Sequence, residues 1–204
     1  YISLPEMRDK ELHSFDLILL TIKSYDTEAM IEGYLRHFPS DAPMISLQNG
    51  LGNLEKMVEL IGKERAIGGR VIFGAEVIES GRVKVTVYAD KVVIGGIKDG
   101  IDLKKVEEIA EVFSQAGIPS QATREIEKYI WGKVIYNSAL NALGSILEVN
   151  YGELLTVEET KALMGEIVSE IFKMVKREEV ELFWNEPRDY LSLLFHELIP
   201  ATHD

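Results

Sequence analysis

The sequence predicts an α/β fold, an incomplete parallel sheet followed by an all-helical part. Three observations carry that reading. Residues 17–22, Leu-Ile-Leu-Leu-Thr-Ile, are apolar almost without interruption, as expected of a parallel strand covered on both faces rather than of a half-solvated one. Strand and helix signals then alternate twice before Ile61, and such alternation builds right-handed parallel units whose ligands bind beyond the carboxyl ends of the strands. After Arg124 no strand signal recurs.

The first strand, 17–22, ends in the polar segment Lys23-Ser24-Tyr25-Asp26-Thr27. Residues 28–38 read as a short helix and Pro39 to Pro43 as a turn. Met44 to Leu47 is a second buried strand ending in Gln48-Asn49-Gly50, and Leu54 to Ile61 a second helix. From Ala66 to Gly96 the pattern changes to strands: Val71 to Phe73, Val83 to Tyr88 after the turn residues Ser80-Gly81, and Val92 to Ile94. Asp102 to Gln115 is an amphipathic helix stopped by Gly117, and Ile118 to Ala122 is a short last strand. Helices follow at 124–148, 157–180 and 187–199, with Pro187 suited to a helix start. The expected domains are 1–122 and 123–204, both partial.

Composition narrows the function. The 204 residues are 46% hydrophobic and 27% charged, enough for a sizeable core. No apolar run approaches the ~18 residues that span a bilayer, and the opening residues lack the basic start and apolar core of a signal peptide, so the expected location is the cytoplasm. With no cysteine, and four histidines without ligand spacing, thiolate chemistry and a metal site are not expected. A formal charge of -12 disfavours nucleic acid as a partner. It does not exclude a small phosphorylated cofactor, because a few converging cations and backbone N–H groups outweigh distant screened charges.

A dinucleotide-binding sheet normally opens with a strand and G-x-G-x-x-G at a helix N-terminus. No such element precedes Leu17, and Gly50-Leu51-Gly52-Asn53 lacks the third glycine and comes too late for that role. The chain thus reads as beginning inside a domain.

The segment from Trp131 to Leu147 is apolar on most sides, so a buried helix is expected. Lys133, Asn137 and Asn141 follow one another at i, i+4 and i+8, forming one polar stripe. An amide or ammonium buried without partners is costly, so the stripe faces partners, water or a ligand. Reducing a ketone needs hydride at carbon and a proton at oxygen. A partly desolvated lysine can supply the proton, and two amides can hold a hydroxyl or carboxylate without adding charge. The plainer reading is an exposed helix edge, or amides tied to a neighbouring domain. Lys23 and Asn49 stand where ligands reach a sheet, although polar residues commonly follow strands in any case. Met164, Phe172, Met174, Phe183, Trp184, Tyr190 and Phe195 read as core, and Glu178, Glu179 and Glu181 as a solvated face; His196 and His203 carry no partner motif.

TIKSYDT (21–27), LQNGLGN (47–53) and W-x-K-x-x-x-N-x-x-x-N (131–141), in that order, resemble the ketopantoate reductase family. The resemblance implies a Rossmann-type domain that binds NADPH and a helical domain like the C-terminal domain of 6-phosphogluconate dehydrogenase. It implies reduction of 2-dehydropantoate to pantoate on the route to coenzyme A. By motif match, Lys133 resembles the proton donor, Asn137 and Asn141 the substrate-binding amides, and Lys23 and Asn49 the cofactor contacts, with Asn49 also near the substrate. The segment around Ala75 to Val77 implies a backbone contact to the cofactor, carried at Val77. Tyr151, beside Asn150, stands where the family often has another substrate-contacting asparagine. The basic residue that selects NADPH over NADH, and the later serine and glutamate of the family's cleft, fall outside these residues. The large apolar residues of the helical half suggest a homodimer. Two alternatives stay open: a sibling dehydrogenase acting on another 2-keto or 2-hydroxy acid, and a non-catalytic relative.

Overall fold

A computed structural model describes residues 15–37 and 41–201; the opening stretch, Pro39 and His203 lie outside them. The chain runs β1 (Ile18–Leu20), α1 (Thr27–His37), β2 (Met44–Ser46), α2 (Asn53–Ile61), β3 (Ala66–Arg70), β4 (Phe73–Glu79), β5 (Arg82–Tyr88), β6 (Val92–Gly95), α3 (Leu103–Gln115) and β7 (Ser120–Ala122). Then come α4 (Ile126–Leu147), α5 (Tyr151–Leu154), α6 (Glu158–Arg177) and α7 (Pro187–Leu193), which continues through a π turn at Leu194–Leu198. Two compact units result. Among the described residues, one holds those up to Val71 together with Lys91–Ile130, the other Ile72–Asp90 together with those from Trp131 onward. The two units meet inside α4, between Ile130 and Trp131.

The first unit is a five-stranded sheet in the order β1-β2-β3-β6-β7. The first three strands are parallel, with Leu20 opposite Ser46 and Ser46 opposite Gly68. β6 runs antiparallel to β3, and β7 parallel to β6. The sheet is mixed because β3 and β6 are joined through a hairpin rather than a crossover helix, which returns the next strand in the opposite sense. Alternate side chains serve opposite faces. Met44, Ala66 and Val93 pack with Ile31 of α1, Leu54 and Met57 of α2 and Ile126 of α4. Ile45, Ile67, Val92 and Ile94 pack with Val106 and Ala110 of α3.

The strand expected at Val71 to Phe73 is displaced: β3 stops at Arg70 and β4 starts at Phe73. Ala-Ile-Gly-Gly-Arg does not read as a strand, because adjacent glycines weaken strand propensity. Packing reverses that preference. A Cβ on Gly68 would lie 2.9 to 3.3 Å from Leu54, Ile126 and Ile130, so the close approach of two helices demands glycine there.

In the second unit β4 and β5 form a separate two-stranded hairpin. The helices share one core built from Ile135, Ala139, Leu140 and Leu143 of α4, Met164, Val168 and Phe172 of α6, and Tyr190 and Leu194. Two expectations are corrected here. α4 is buried on one side only in its last turns, where Ala142, Ile146 and Leu147 are exposed, Ile146 to 77%. An apolar helix is covered only where other elements reach it. Met174 and Phe183, expected in the core, are exposed; Met174 stands one residue off the stripe Met164, Val168, Phe172, Val175 that faces inward. The four-residue α5 and the π turn have no counterpart in the sequence reading. Among the described residues no helix is long and apolar enough to cross a membrane, and no three metal-ligating side chains cluster.

Candidate active site

β1, β2 and β3 are parallel, so their carboxyl ends lie at one edge of the sheet. Lys23 and Asn49 each follow a strand end by three residues, after Leu20 and Ser46, which are register partners. The structure thus brings these two predicted residues to the same edge, both exposed. Lys23 has an extended backbone (φ -66°, ψ 142°) and its carbonyl accepts from Asp26 N at 3.0 Å, starting a 3-10 turn. The carbonyl of Asn49 accepts from Asn53 Nδ2 at 3.2 Å. Between them in the β2–α2 turn, Gly50 and Gly52 have φ of 95° and 86°, a region that glycine enters without the steric cost of a Cβ. Nothing lies within 4 Å of where their Cβ atoms would stand.

Two residues of this edge were not singled out from the sequence. Gln48 Nε2 donates to the Ile22 carbonyl at 2.9 Å and to Thr27 Oγ1 at 2.8 Å, while its Oε1 accepts from Ser46 Oγ at 2.9 Å. Arg70, at the carboxyl end of β3, is 4% exposed, and its guanidinium lies 5.2 Å from the ring centroid of Tyr129. An arginine next to a turn reads as solvated, and the ring that meets it belongs to a later helix.

In the second unit, α4 carries the polar stripe. Lys133 and Asn137 are half-buried on successive turns, and Asn141 is exposed. Tyr151 Oη donates to Asn141 Oδ1 at 2.6 Å, and the Tyr151 ring meets Tyr136 edge-on at 6.1 Å. Sequence reasoning named Tyr151 without foreseeing that contact. Neighbouring Asn150 is a helix cap, its N–H donating to Glu153 Oε2 at 2.9 Å. Gly132, before the lysine, lets the helix lie flush with Trp184, whose ring would stand 3.2 Å from a Cβ there. The Gly132 carbonyl accepts from Tyr190 Oη at 2.8 Å. Val77 lies on β4 opposite Val83 and is 71% exposed. A cleft of about 910 Å³ between α6 and the start of α7, lined by Phe172, Lys173, Lys176, Leu182, Trp184 and Asn185, includes none of the predicted site residues. His196 Nδ1 lies 2.8 Å from the Ser192 carbonyl one helical turn earlier, a local contact.

Comparison with known proteins gives a consistent result. The family described as ketopantoate reductase PanE/ApbA matches residues 2–99, and its C-terminal counterpart matches residues 125–198. A 2-dehydropantoate 2-reductase of Aquifex aeolicus is 40% identical over 187 residues, which cover 92% of this chain and 60% of that protein. The 2-dehydropantoate 2-reductase of Pyrococcus abyssi is 34% identical over 189 residues, 93% of this chain and 60% of the relative. The chain thus spans about three fifths of the length of these relatives. Among solved structures, D-mandelate dehydrogenase with NADH and anilino(oxo)acetate superposes with a TM-score of 0.76 at 22% identity, over 96% of this chain and 63% of that one. A 2-dehydropantoate 2-reductase of Geobacter metallireducens gives 0.75 at 24% identity, over 95% and 64%. These likenesses establish the two-part α/β and helical fold.

Proposed function

The chain belongs to the ketopantoate reductase family, and from that premise we propose that it is the greater part of an NADPH-dependent 2-dehydropantoate 2-reductase. The product, pantoate, serves pantothenate and coenzyme A synthesis, and the cytoplasm is the proposed location. The observation that carries the reading is the half-buried Lys133 followed one turn later by Asn137 on a helix otherwise packed by apolar residues.

The residues at the sheet edge fit a nicotinamide dinucleotide. An exposed ammonium, an exposed amide and two glycines with open space at their Cβ positions gather where open α/β sheets bind ligands. Lys23, Asn49 and the backbone at Val77 are the proposed cofactor contacts, which makes 1–122 the cofactor part and 123–204 the helical substrate and dimerisation part. When bound, the nicotinamide supplies hydride to the ketone carbon. Lys133 gives its proton to the ketone oxygen, leaving a neutral amine that solvent reprotonates. Asn137 holds the substrate beside it, and Asn49, Asn141 and Tyr151 bind the remaining oxygens. No step requires a metal.

A second reading is a sibling reductase of another 2-keto acid, favoured by the Tyr151 hydroxyl, which engages Asn141 where a second free amide would otherwise meet the substrate. The test is turnover by the complete enzyme of 2-dehydropantoate against a panel of 2-keto acids with NADPH and with NADH. Highest kcat/KM for 2-dehydropantoate with NADPH is expected. A different acid at the head of the panel moves the assignment to the second reading, and no turnover of any acid rejects reductase activity.

A further inference from the structure

We infer that Gln48 is a positioning residue for the cofactor: its carboxamide ties the loop after β1 to the loop after β2 and thereby sets the spacing of Lys23 and Asn49. The inference rests on the cofactor reading above. A glutamine side chain offers two N–H donors and an acceptor oxygen, and all three are used. Nε2 donates to the Ile22 carbonyl at 2.9 Å and to Thr27 Oγ1 at 2.8 Å, and Oε1 accepts from Ser46 Oγ at 2.9 Å. Ile22 immediately precedes Lys23, Thr27 opens α1, and Asn49 immediately follows Gln48. Thr27 and Ser46 are 2% and 3% exposed, so these bonds form where water competes poorly.

The bond from Leu47 N to the Leu20 carbonyl, at 3.1 Å, closes the pairing of β1 and β2 before either loop begins. Beyond it, the Gln48 amide joins the two loops through the Ile22 carbonyl and Thr27 Oγ1. Removing the amide therefore leaves the sheet paired and takes away both of these bonds between the loops. Positioning errors of this kind lower binding and rate without unfolding the protein, because a displacement near 1 Å away from the chemistry can cost ~10²-fold.

The test uses, in the complete enzyme, Gln48→Met, which preserves volume but cannot donate, and Gln48→Ala. NADPH affinity is measured by titration calorimetry, and backbone amide exchange by mass spectrometry. Both variants should melt cooperatively, bind NADPH about 10-fold or more weakly, and exchange faster at Lys23–Thr27 and Asn49–Gly52 together. Adding Gln48→Met to Lys23→Ala should cost less further affinity than Gln48→Met costs the parent, since one of the two contacts that the tie serves is already gone. That coupling is what a merely structural glutamine would not produce. Affinity within about 2-fold of the parent, faster exchange in one loop only, fully multiplicative losses, or loss of the cooperative melt would each overturn the inference. A parent protein that binds no NADPH at all would reject the cofactor reading instead, and the exchange of the two loops would still decide whether Gln48 ties them.

Discussion

Lys133 places a half-buried ammonium between Tyr129 and Asn137, one helical turn away on either side. If it is the proton donor, Lys133→Ala should lower kcat about 10²–10⁴-fold with little change in melting temperature or NADPH affinity. Asn137→Ala should differ in kind, with a larger share of its loss in KM, because a hydrogen bond to the substrate acts in the ground state as well as the transition state. Steady-state kinetics of both variants checks this. Near-normal kcat for Lys133→Ala across the pH range would return the lysine to a structural role. The stripe was legible in the sequence because its i, i+4 repeat is periodic and its residue types are unusual for an apolar helix. Gln48 and Arg70 were not, since what distinguishes them is who surrounds them. Nothing local to either residue says that a carbonyl 26 positions away or an aromatic ring on a later helix will meet it.

At the level of elements, the joint between α4 and α7 is the contact with a measurable signature. Tyr190 is fully buried and donates to the Gly132 carbonyl. Burial pushes its hydroxyl well above the usual phenol range, and nearby Tyr136 adds to the shift. The folded state thus excludes the ionised form that the unfolded chain adopts above its ordinary value of ~10, so this contribution to stability is complete below about pH 10 and declines above it, by up to ~1.4 kcal/mol per pH unit. Tyr190→Phe should lose about 1 kcal/mol at neutral pH with the hydrogen bond, and its urea midpoint should fall less steeply than the parent's between about pH 9 and pH 11. Parallel limbs for the two proteins would refute the assignment. Other elements show where sequence reading succeeds and fails. α3 was legible from Asp102, whose side chain accepts from Lys104 N, and from Gly117 after its end. β3 was not, because Gly68 and Gly69 belong to a strand through tertiary packing that overrides their own preference. The exposed side of α4 was likewise hidden, since residue type reports apolarity and not whether a neighbour arrives to cover it.

For the molecule as a whole, a homodimer is the proposed assembly. Ile146, Leu147, Leu163 and Phe183 stand exposed in the helical unit, an apolar surface that a second copy could cover. Light scattering at micromolar concentration should give twice the protomer mass, and a monomer there would count against it. α4 also bears on how such a protein can be reassembled from relatives. Its first turn contributes Ile126 to the core of the sheet, while Ile135, Ala139 and Leu140 belong to the helical core. A recombination breakpoint in the loop after β7 would take Ile126 from one ancestor and the strands it packs on from another. A breakpoint inside the helix, just after Ile130, leaves each hydrophobic core with a single ancestry, so the seam that inheritance can tolerate runs through the middle of an element and not through the loop before it.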